Sequence, residues 1–199
     1  MVTTIKGMGH KHSRNEILDG AVAVAFADGL SKLTFGRVAA RLGTSDRIVV
    51  YYFPSKNDLI TAVLLAVGAQ LQETIAAAMA SPVADHLGLA RAAWPVLARA
   101  ESDPIFALFF EANGLAASGN EPYRSIVPGL VTAWIDWASE FITGNAEHRR
   151  AEAEAVVALL DGLLLLRQLA GPDAADRAAR RLGVDTTRGV RQGRAPRRR

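Results

Sequence analysis

The chain has 199 residues, 50% of them hydrophobic and 22% charged, with no cysteine and a formal net charge of +3. The absence of cysteine excludes a disulfide-stapled scaffold, an iron–sulfur cluster, a thiolate zinc site and a cysteine nucleophile. No apolar run reaches the roughly 18–20 residues of a membrane span, and the N-terminus lacks the apolar core of a signal peptide. We therefore expect a cytoplasmic protein.

The charge is distributed unevenly along the chain. Residues 1–56 carry a net charge of +4, residues 57–176 carry −9, and residues 177–199 carry +8. Basic ends around an acidic middle predict that the ends, rather than the whole protein, meet a polyanion.

The pattern of caps and apolar spacing predicts an all-α chain of about nine helices. Ser13 and Glu16 form the sequence of a capping box, and Thr34 is a good N-cap. Apolar residues recur at helical spacing, and no alternating run is long enough to predict a strand. The predicted helices cover 14–28, 35–42, a third from 45 or 46 to 52, 56–80, 83–100, 104–113, 121–143, 146–170 and 173–182.

Two prolines fall inside predicted helices. Pro95 is expected to kink the fifth helix, and Pro128 with Gly129 is expected to bend or split the seventh. Residues 186–199 are rich in glycine and arginine and low in apolar residues, so we expect them to be disordered.

The second and third predicted helices are short and are joined by Gly43 and Thr44, which is typical of a helix-turn-helix. Val38 and Leu42 give the first of them an apolar face, against which Val49 can pack. The outer helix is then free to lie in the major groove of DNA, with its N-terminal residues at the base edges.

Residues 13–60 resemble the N-terminal DNA-binding domain of the TetR family of transcriptional regulators. The stretches that carry the resemblance are ILDGAVAVAFADGL, LTFGRVAARLG and TSDRIVVYYFPSKNDL. The resemblance implies a DNA-binding domain over 1–56, a helical ligand-binding and dimerisation domain over 57–185, and an Arg-rich tail over 186–199. It implies a sequence-specific DNA-binding regulator, a repressor released from its operator by a small molecule, with no cofactor.

The resemblance also implies the DNA contacts. Thr34, Tyr51 and Lys56 would contact phosphates, and Arg47 is the best candidate reader because arginine can bond guanine O6 and N7 together. Val50 and Tyr52 stand where the family usually has an aromatic residue and often has histidine, and Arg47 stands where it usually has a small residue. We therefore expect the DNA sequence read to differ from that of close relatives. The implied set is Thr34, Thr44, Ser45, Asp46, Arg47, Tyr51 and Lys56.

Each assignment has a structural alternative. Thr34 could serve only as a helix cap, Tyr51 could simply pack, and Arg47 could pair with Asp46 or Asp58. His10 and His12 stand two residues apart near the N-terminus with no metal-binding motif around them, so we expect them to be solvated and predict no metal site.

The acidic middle contains eight of the thirteen aromatic residues. The resemblance implies a small-molecule pocket there, with apolar walls and a few polar groups. The alternative is an ordinary core, since an aromatic stripe at helical spacing is often core. The candidate ligand residues are Trp94, Phe106, Phe110, Trp134 and Trp137.

Residues 155–170 form a segment that is apolar nearly all round, so a helix there must be covered on more than one side. The resemblance implies a homodimer that packs this helix against its copy and reads a near-palindromic operator. A fully internal helix is the alternative. The candidate interface residues are Val156, Leu159, Leu160, Leu163 and Leu166.

There are two alternative functions. The first is a DNA-binding regulator or activator that needs no ligand, which would have the same N-terminal DNA-binding domain. An enzyme is not predicted, because the sequence shows no glycine-rich phosphate loop, no HExxH motif and no convergent catalytic pair.

Overall fold

The structure is a computed structural model that describes residues 12–185. Within this range the chain forms nine α-helices and a short 3-10 helix, Ala100–Ser102, and no strand, as the sequence predicts. The predicted tail and His10 lie outside the described residues. The helices are α1 Arg14–Asp28, α2 Phe35–Leu42, α3 Asp46–Tyr52, α4 Lys56–Ala78, α5 His86–Leu97, α6 Asp103–Ala117, α7 Tyr123–Ser139, α8 Ala146–Ala170 and α9 Pro172–Arg181.

Local capping explains where the first helices begin. The Glu16 N–H donates to Ser13 Oγ at 3.2 Å, and the Ser13 N–H donates to Glu16 Oε2 at 2.7 Å. This reciprocal capping box satisfies two amides that the start of α1 would otherwise leave without a partner. Thr34 caps α2 in the same manner, because its Oγ1 accepts the Arg37 N–H at 3.3 Å.

The chain divides into two compact units. Among the described residues, unit 1 comprises 12–76 and 103–133, and unit 2 comprises 77–102 and 134–185. The core of unit 1 is formed by α1 to α4 with α6 and the first part of α7. Its largest fully enclosed side chains are Ile17, Leu30, Leu33, Val38, Val49, Phe53, Leu59, Ile60 and Val63.

Unit 2 contains α5, α8 and α9. Its helix α5 begins against α8, because Glu152 Oε2 accepts the backbone N–H of His86 at 2.7 Å and lies 2.6 Å from His86 Nδ1. These bonds hold the pKa of Glu152 below its ordinary value. A single backbone bridge also joins Val83 to Ile142.

Three helices differ from their predicted lengths. The fifth is shorter, since Asp85 caps it by accepting the Gly88 N–H at 2.7 Å. The sixth continues to Ala117. The seventh is one continuous helix, so Pro128 does not split it. A proline in a helix removes one backbone hydrogen bond, and α7 tolerates that loss.

Among the residues that the structure describes, α4 alone is long and apolar enough to cross a membrane by length and composition. A core helix of a soluble protein passes the same test. The buried side chains of α4 recur three and four residues apart, which is the pattern of a helix packed on one side. They are Leu59, Ile60, Val63, Val67, Leu71 and Ile75.

Candidate DNA interface

The turn between α2 and α3 is built around Gly43. Its φ of 63° and ψ of 33° are left-handed, a conformation that residues with side chains rarely adopt. The Gly43 N–H donates to the Ala40 carbonyl at 3.3 Å, and the Thr44 N–H donates to the Ala39 carbonyl at 3.0 Å. These bonds satisfy the last carbonyls of α2 and direct the chain into α3, with half-buried Thr44 in the turn.

One fully enclosed side chain, Val49, anchors α3 in the core of unit 1. At 100° per residue, Arg47 and Tyr51 lie opposite Val49, Val50 lies beside them, and Asp46 lies at the edge towards α2, about 60° from Val49. The four side chains other than Val49 are exposed. We call these four residues the outward face of α3. Its arrangement is the one that reading a DNA groove requires, although the DNA role of each residue stays a prediction.

Arg47 presents its charge to solvent. No ion pair within residues 12–185 involves it. Asp58 is engaged elsewhere, because its Oδ2 accepts the Ser55 hydroxyl at 2.7 Å and the Ser55 N–H at 3.0 Å. Asp46 lies beside α2, where a Cβ on Gly36 would be 3.5 Å from its Oδ2. The alternative in which Asp58 neutralises Arg47 is therefore not what the structure shows.

Two hydroxyls flank this face. Ser45 is the N-cap residue of α3, but its exposed side chain makes no capping hydrogen bond. Thr34 does cap α2, so its structural role is real. A hydroxyl that accepts one hydrogen bond can still donate its own proton. Both residues therefore remain able to donate to a phosphate oxygen.

The two adjacent tyrosines have different surroundings. Tyr52 is half-buried and its hydroxyl donates to the His12 carbonyl at 2.6 Å. Tyr51 is 76% exposed, and its ring stands edge-on to that of Tyr52 at 4.9 Å between centroids. Packing thus accounts for the position of the Tyr52 side chain. It leaves the Tyr51 hydroxyl in solvent, where it could donate a hydrogen bond to a phosphate.

Lys56 is the exposed first residue of α4. The Asp58 N–H donates back to Ser55 Oγ at 3.1 Å, so a second capping box fixes the start of this helix. The link before it is held by Arg14, whose guanidinium lies 4.7 Å from the centroid of the Phe53 ring. Sequence reasoning missed this contact, because the two residues lie far apart in the chain and neither belongs to a recognisable pair.

The candidate ligand residues fall into separate clusters. In unit 1, Phe106 is buried and its ring centroid lies 6.5 Å from that of half-buried Phe110. In unit 2, the rings of Trp134 and Trp137 are 5.3 Å apart and edge-on, and both are half-buried. Trp94 is enclosed in unit 2 with 3% of its surface exposed. Whether any of them touches a ligand stays a prediction.

The candidate dimer residues lie mostly inside unit 2. Val156, Leu160 and Leu163 are buried within the subunit, and Leu159 and Leu166 are half-buried. Such side chains offer little surface to a second subunit.

The exposed side of α8 instead carries small and apolar residues three or four positions apart. Leu165 is 41% exposed and Leu169 is 79% exposed, and nothing lies within 4 Å of a Cβ placed on Gly162. We call this surface the exposed face of α8. It comprises Ala158, Gly162, Leu165 and Leu169.

Beside this face, burial raises the pKa of Asp161 to about 6. Among residues 12–185 there is no group of three or more histidine or acidic side chains arranged to hold a metal ion.

Comparisons with known proteins cover most of the chain. It is 26% identical over 210 residues to the HTH-type transcriptional regulator BetI of Cronobacter sakazakii, covering 92% of this chain and 93% of BetI. A transcriptional regulator from Rhodococcus sp. Rha1 superposes with a TM-score of 0.67 at 18% identity, over 87% of this chain and 94% of that one. The multidrug binding protein EbrR, solved with proflavin, superposes with a TM-score of 0.63 at 26% identity, over 85% and 96% of the two chains.

A short helix that is exposed on one face and joined to its neighbour by a glycine turn is the geometry of a helix-turn-helix, the motif with which DNA-binding regulators enter the major groove. The family model for bacterial regulatory proteins of the tetR family matches residues 17–63, which run from α1 into α4. This match over the helix-turn-helix and the similarity to BetI over most of the chain support a regulator of the TetR family.

Proposed function

We propose that this regulator is a cytoplasmic repressor that binds a near-palindromic operator as a homodimer and is released by a small-molecule effector. The outward face of α3 is the observation that carries the proposal. It combines a guanidinium that forms no ion pair within residues 12–185, an exposed phenol and an exposed aliphatic side chain on a helix that Val49 anchors in the core. Residues 1–56 would bind DNA, and residues 57–185 would bind the effector and the second subunit.

The roles on this face follow from side-chain chemistry. Arg47 would bond a guanine in the major groove, since its planar fork matches O6 and N7. Phosphate contacts position the DNA-binding domain on the duplex and carry no sequence information of their own. The proposed phosphate contacts are Thr34, Ser45, Tyr51 and Lys56, with Thr44 and Asp46 at the edge of the groove.

The DNA half of the proposal is tested by selecting duplexes from a random pool with the full-length chain and measuring affinity by fluorescence anisotropy. Arg47→Ala should lose about ten- to hundredfold in affinity for the selected duplex and relax the preference at one base pair. Tyr51→Phe should weaken all duplexes alike. Arg181→Ala, which removes an exposed arginine of α9, is the matched control. A chain that enriches no sequence contradicts the proposal.

The effector we propose is an aromatic organic cation. The region 57–176 carries a net charge of −9 and holds both aromatic clusters. Aromatic faces and acidic surroundings both favour a planar cation. EbrR, which has the same fold, was solved with proflavin, a molecule of this kind.

Calorimetric titration of the protein alone with proflavin tests the effector half, and avoids direct binding of the dye to DNA. Trp137→Ala should weaken binding several-fold, since an aromatic contact contributes about 0.5–1.5 kcal/mol. Phe26→Ala, which removes an exposed ring of α1, should leave binding unchanged. Binding that Trp137→Ala does not alter removes this cluster from the site, and the absence of binding contradicts this effector class.

A further inference from the structure

The turn between α1 and α2 is held from a distant part of the chain. Glu111, in the middle of α6, accepts the Leu30 N–H on Oε2 at 2.8 Å and the Ser31 N–H on Oε1 at 2.9 Å. Each carboxylate oxygen thus takes one backbone donor. Hydrogen bonds to an ionised acceptor are roughly twice as strong as neutral ones. No cation within residues 12–185 forms an ion pair with Glu111, so the backbone is its counterpart.

A second helix holds the same residue of the turn. The Tyr123 hydroxyl, at the start of α7, donates to the Leu30 carbonyl at 3.2 Å. Burial and the charge of Glu111 raise the pKa of Tyr123 to about 12, so the hydroxyl keeps its proton across the physiological range. The Leu30 side chain is fully enclosed. Both backbone polar groups and the side chain of Leu30 are therefore fixed by the body of unit 1.

The turn passes so close to the carboxylate that its sequence is restricted. Gly29 has a φ of 87°, and a Cβ placed there would lie 3.0 Å and 3.3 Å from the two Glu111 oxygens. A side chain at this position would be strained by its backbone and would press on the acceptor. The glycine and the glutamate thus belong to one arrangement, which we call the α1–α2 clasp: Gly29, Leu30, Ser31, Glu111 and Tyr123.

The clasp lies where it can orient the recognition helix. Its turn joins α1 to α2, and α2 packs against both α1 and α3. The helices α1 to α3 continue into α4 at one end, and α6 and α7 hold the turn between α1 and α2. Without the clasp, the helices α1 to α3 would keep the attachment through α4 and the apolar packing of α1 against α6, but the turn itself would lose its hydrogen bonds to α6 and α7.

We propose that Glu111 is the positioning residue that sets which half-site spacing the two recognition helices accept. This inference rests on the proposed function, that of a dimer reading two half-sites. Adding one base pair between half-sites moves them apart by about 3.4 Å and rotates them by about 34°. A DNA-binding domain whose α1–α2 turn is fixed by hydrogen bonds resists that displacement, whereas one held there by apolar packing alone can follow it.

The test compares spacing preference rather than affinity alone. The full-length chain is titrated with its selected duplex and with derivatives that carry one base pair more or fewer between the half-sites. The wild type should prefer the selected spacing by about tenfold. Glu111→Ala should reduce this ratio to about threefold or less by raising affinity for the altered spacings relative to the original. Glu73→Ala, which removes an exposed carboxylate of α4, should keep the wild-type ratio.

Two milder variants separate an effect on spacing preference from a loss of folding. Glu111→Gln keeps the shape but faces one backbone donor with an amide NH2, and Tyr123→Phe removes only the hydroxyl. Both should relax spacing preference to a smaller extent and speed hydrogen exchange at the amides of the turn. A variant that loses thermal stability but keeps the wild-type ratio overturns the inference. A wild type that selects no duplex overturns the proposed function itself.

Discussion

On the outward face of α3, Arg47 and Val50 stand side by side because residues three apart on a helix are neighbours. Their chemistry differs. A guanidinium seeks paired acceptors, whereas an isopropyl group can make only apolar contact. The 5-methyl group of thymine is the apolar feature that a base pair presents in the major groove. Val50 is 39% exposed, which leaves enough surface for such a contact.

We expect the selected operator to carry a thymine close to the guanine that Arg47 reads, and Val50 to contact its methyl group. Replacing that thymine by deoxyuridine should weaken wild-type binding about three- to fourfold, since one buried methyl group contributes about 0.8 kcal/mol. Val50→Ala should bind the two duplexes equally well, as measured by anisotropy. Equal penalties for wild type and Val50→Ala would contradict the contact.

At the scale of single helices, the beginning of the chain was the most predictable part. The Ser13 box, the Thr34 cap and Gly43 are signals contained in a few consecutive residues, and α1 and α2 begin and end where these signals indicate. The α1–α2 clasp could not be predicted in this way. Glu111 is 81 residues from Leu30, and nothing near either residue indicates the other.

Helix α8 illustrates a different limit. Its apolar residues surround the helix, so the sequence could not say which side faces the interior of the subunit. The structure buries Val156, Leu160 and Leu163 against neighbouring helices and leaves Leu165 and Leu169 exposed. Period and composition predicted the helix, but its orientation depends on how α5 and α9 pack around it.

Asp161 makes the stability of α8 dependent on pH. Burial raises its pKa from an ordinary 3.8 to about 6, so the native state holds the proton more tightly than the unfolded chain. The contribution of protonated Asp161 to the free energy of unfolding is fully present below about pH 4 and is lost as the pH rises through about 6. Asp161→Asn should therefore raise the free energy of unfolding at pH 7.5 by about 1–3 kcal/mol.

Urea unfolding of the full-length chain from pH 4.5 to pH 8 measures this effect. The difference between Asp161→Asn and wild type should grow with pH and level off above about pH 7. Asp19→Asn, at an exposed position of α1, should show no such trend. A constant difference across the range would mean that the carboxylate of Asp161 is not destabilised by burial.

At the scale of the whole molecule, the charge pattern separates two tasks. The residues that face DNA in the proposal belong to a segment with a net charge of +4, while residues 57–176 carry −9. A segment with this negative charge repels a phosphate backbone, so the surface of α8 is suited to contacts with protein rather than with DNA. Its exposed leucines and Gly162 are the surface that a second subunit would cover.

We expect the chain to be a dimer that the exposed face of α8 holds together. Leu169→Glu should shift the mass in sedimentation equilibrium from twice 21.2 kDa towards 21.2 kDa. Introducing a charge into an apolar interface leaves it buried and unpaired, which is costly.

The matched control is Leu65→Glu, at a leucine of α4 that is 54% exposed. It should leave the dimer intact. A Leu169→Glu variant that remains fully dimeric would place the interface elsewhere.

Because α3 is buried on one side only, the residues of its outward face can change during evolution at little cost in stability. Val49 is enclosed by the core, whereas the side chains of Arg47, Val50 and Tyr51 are exposed, and Tyr51 packs only edge-on against Tyr52. Substitutions at exposed positions usually alter stability by less than about 0.5 kcal/mol. In the proposed mode of DNA binding, new operators are therefore within reach of a few mutations at positions 47, 50 and 51, with no compensating change in the rest of the fold. A library randomised at these three codons would recover folded chains with altered targets.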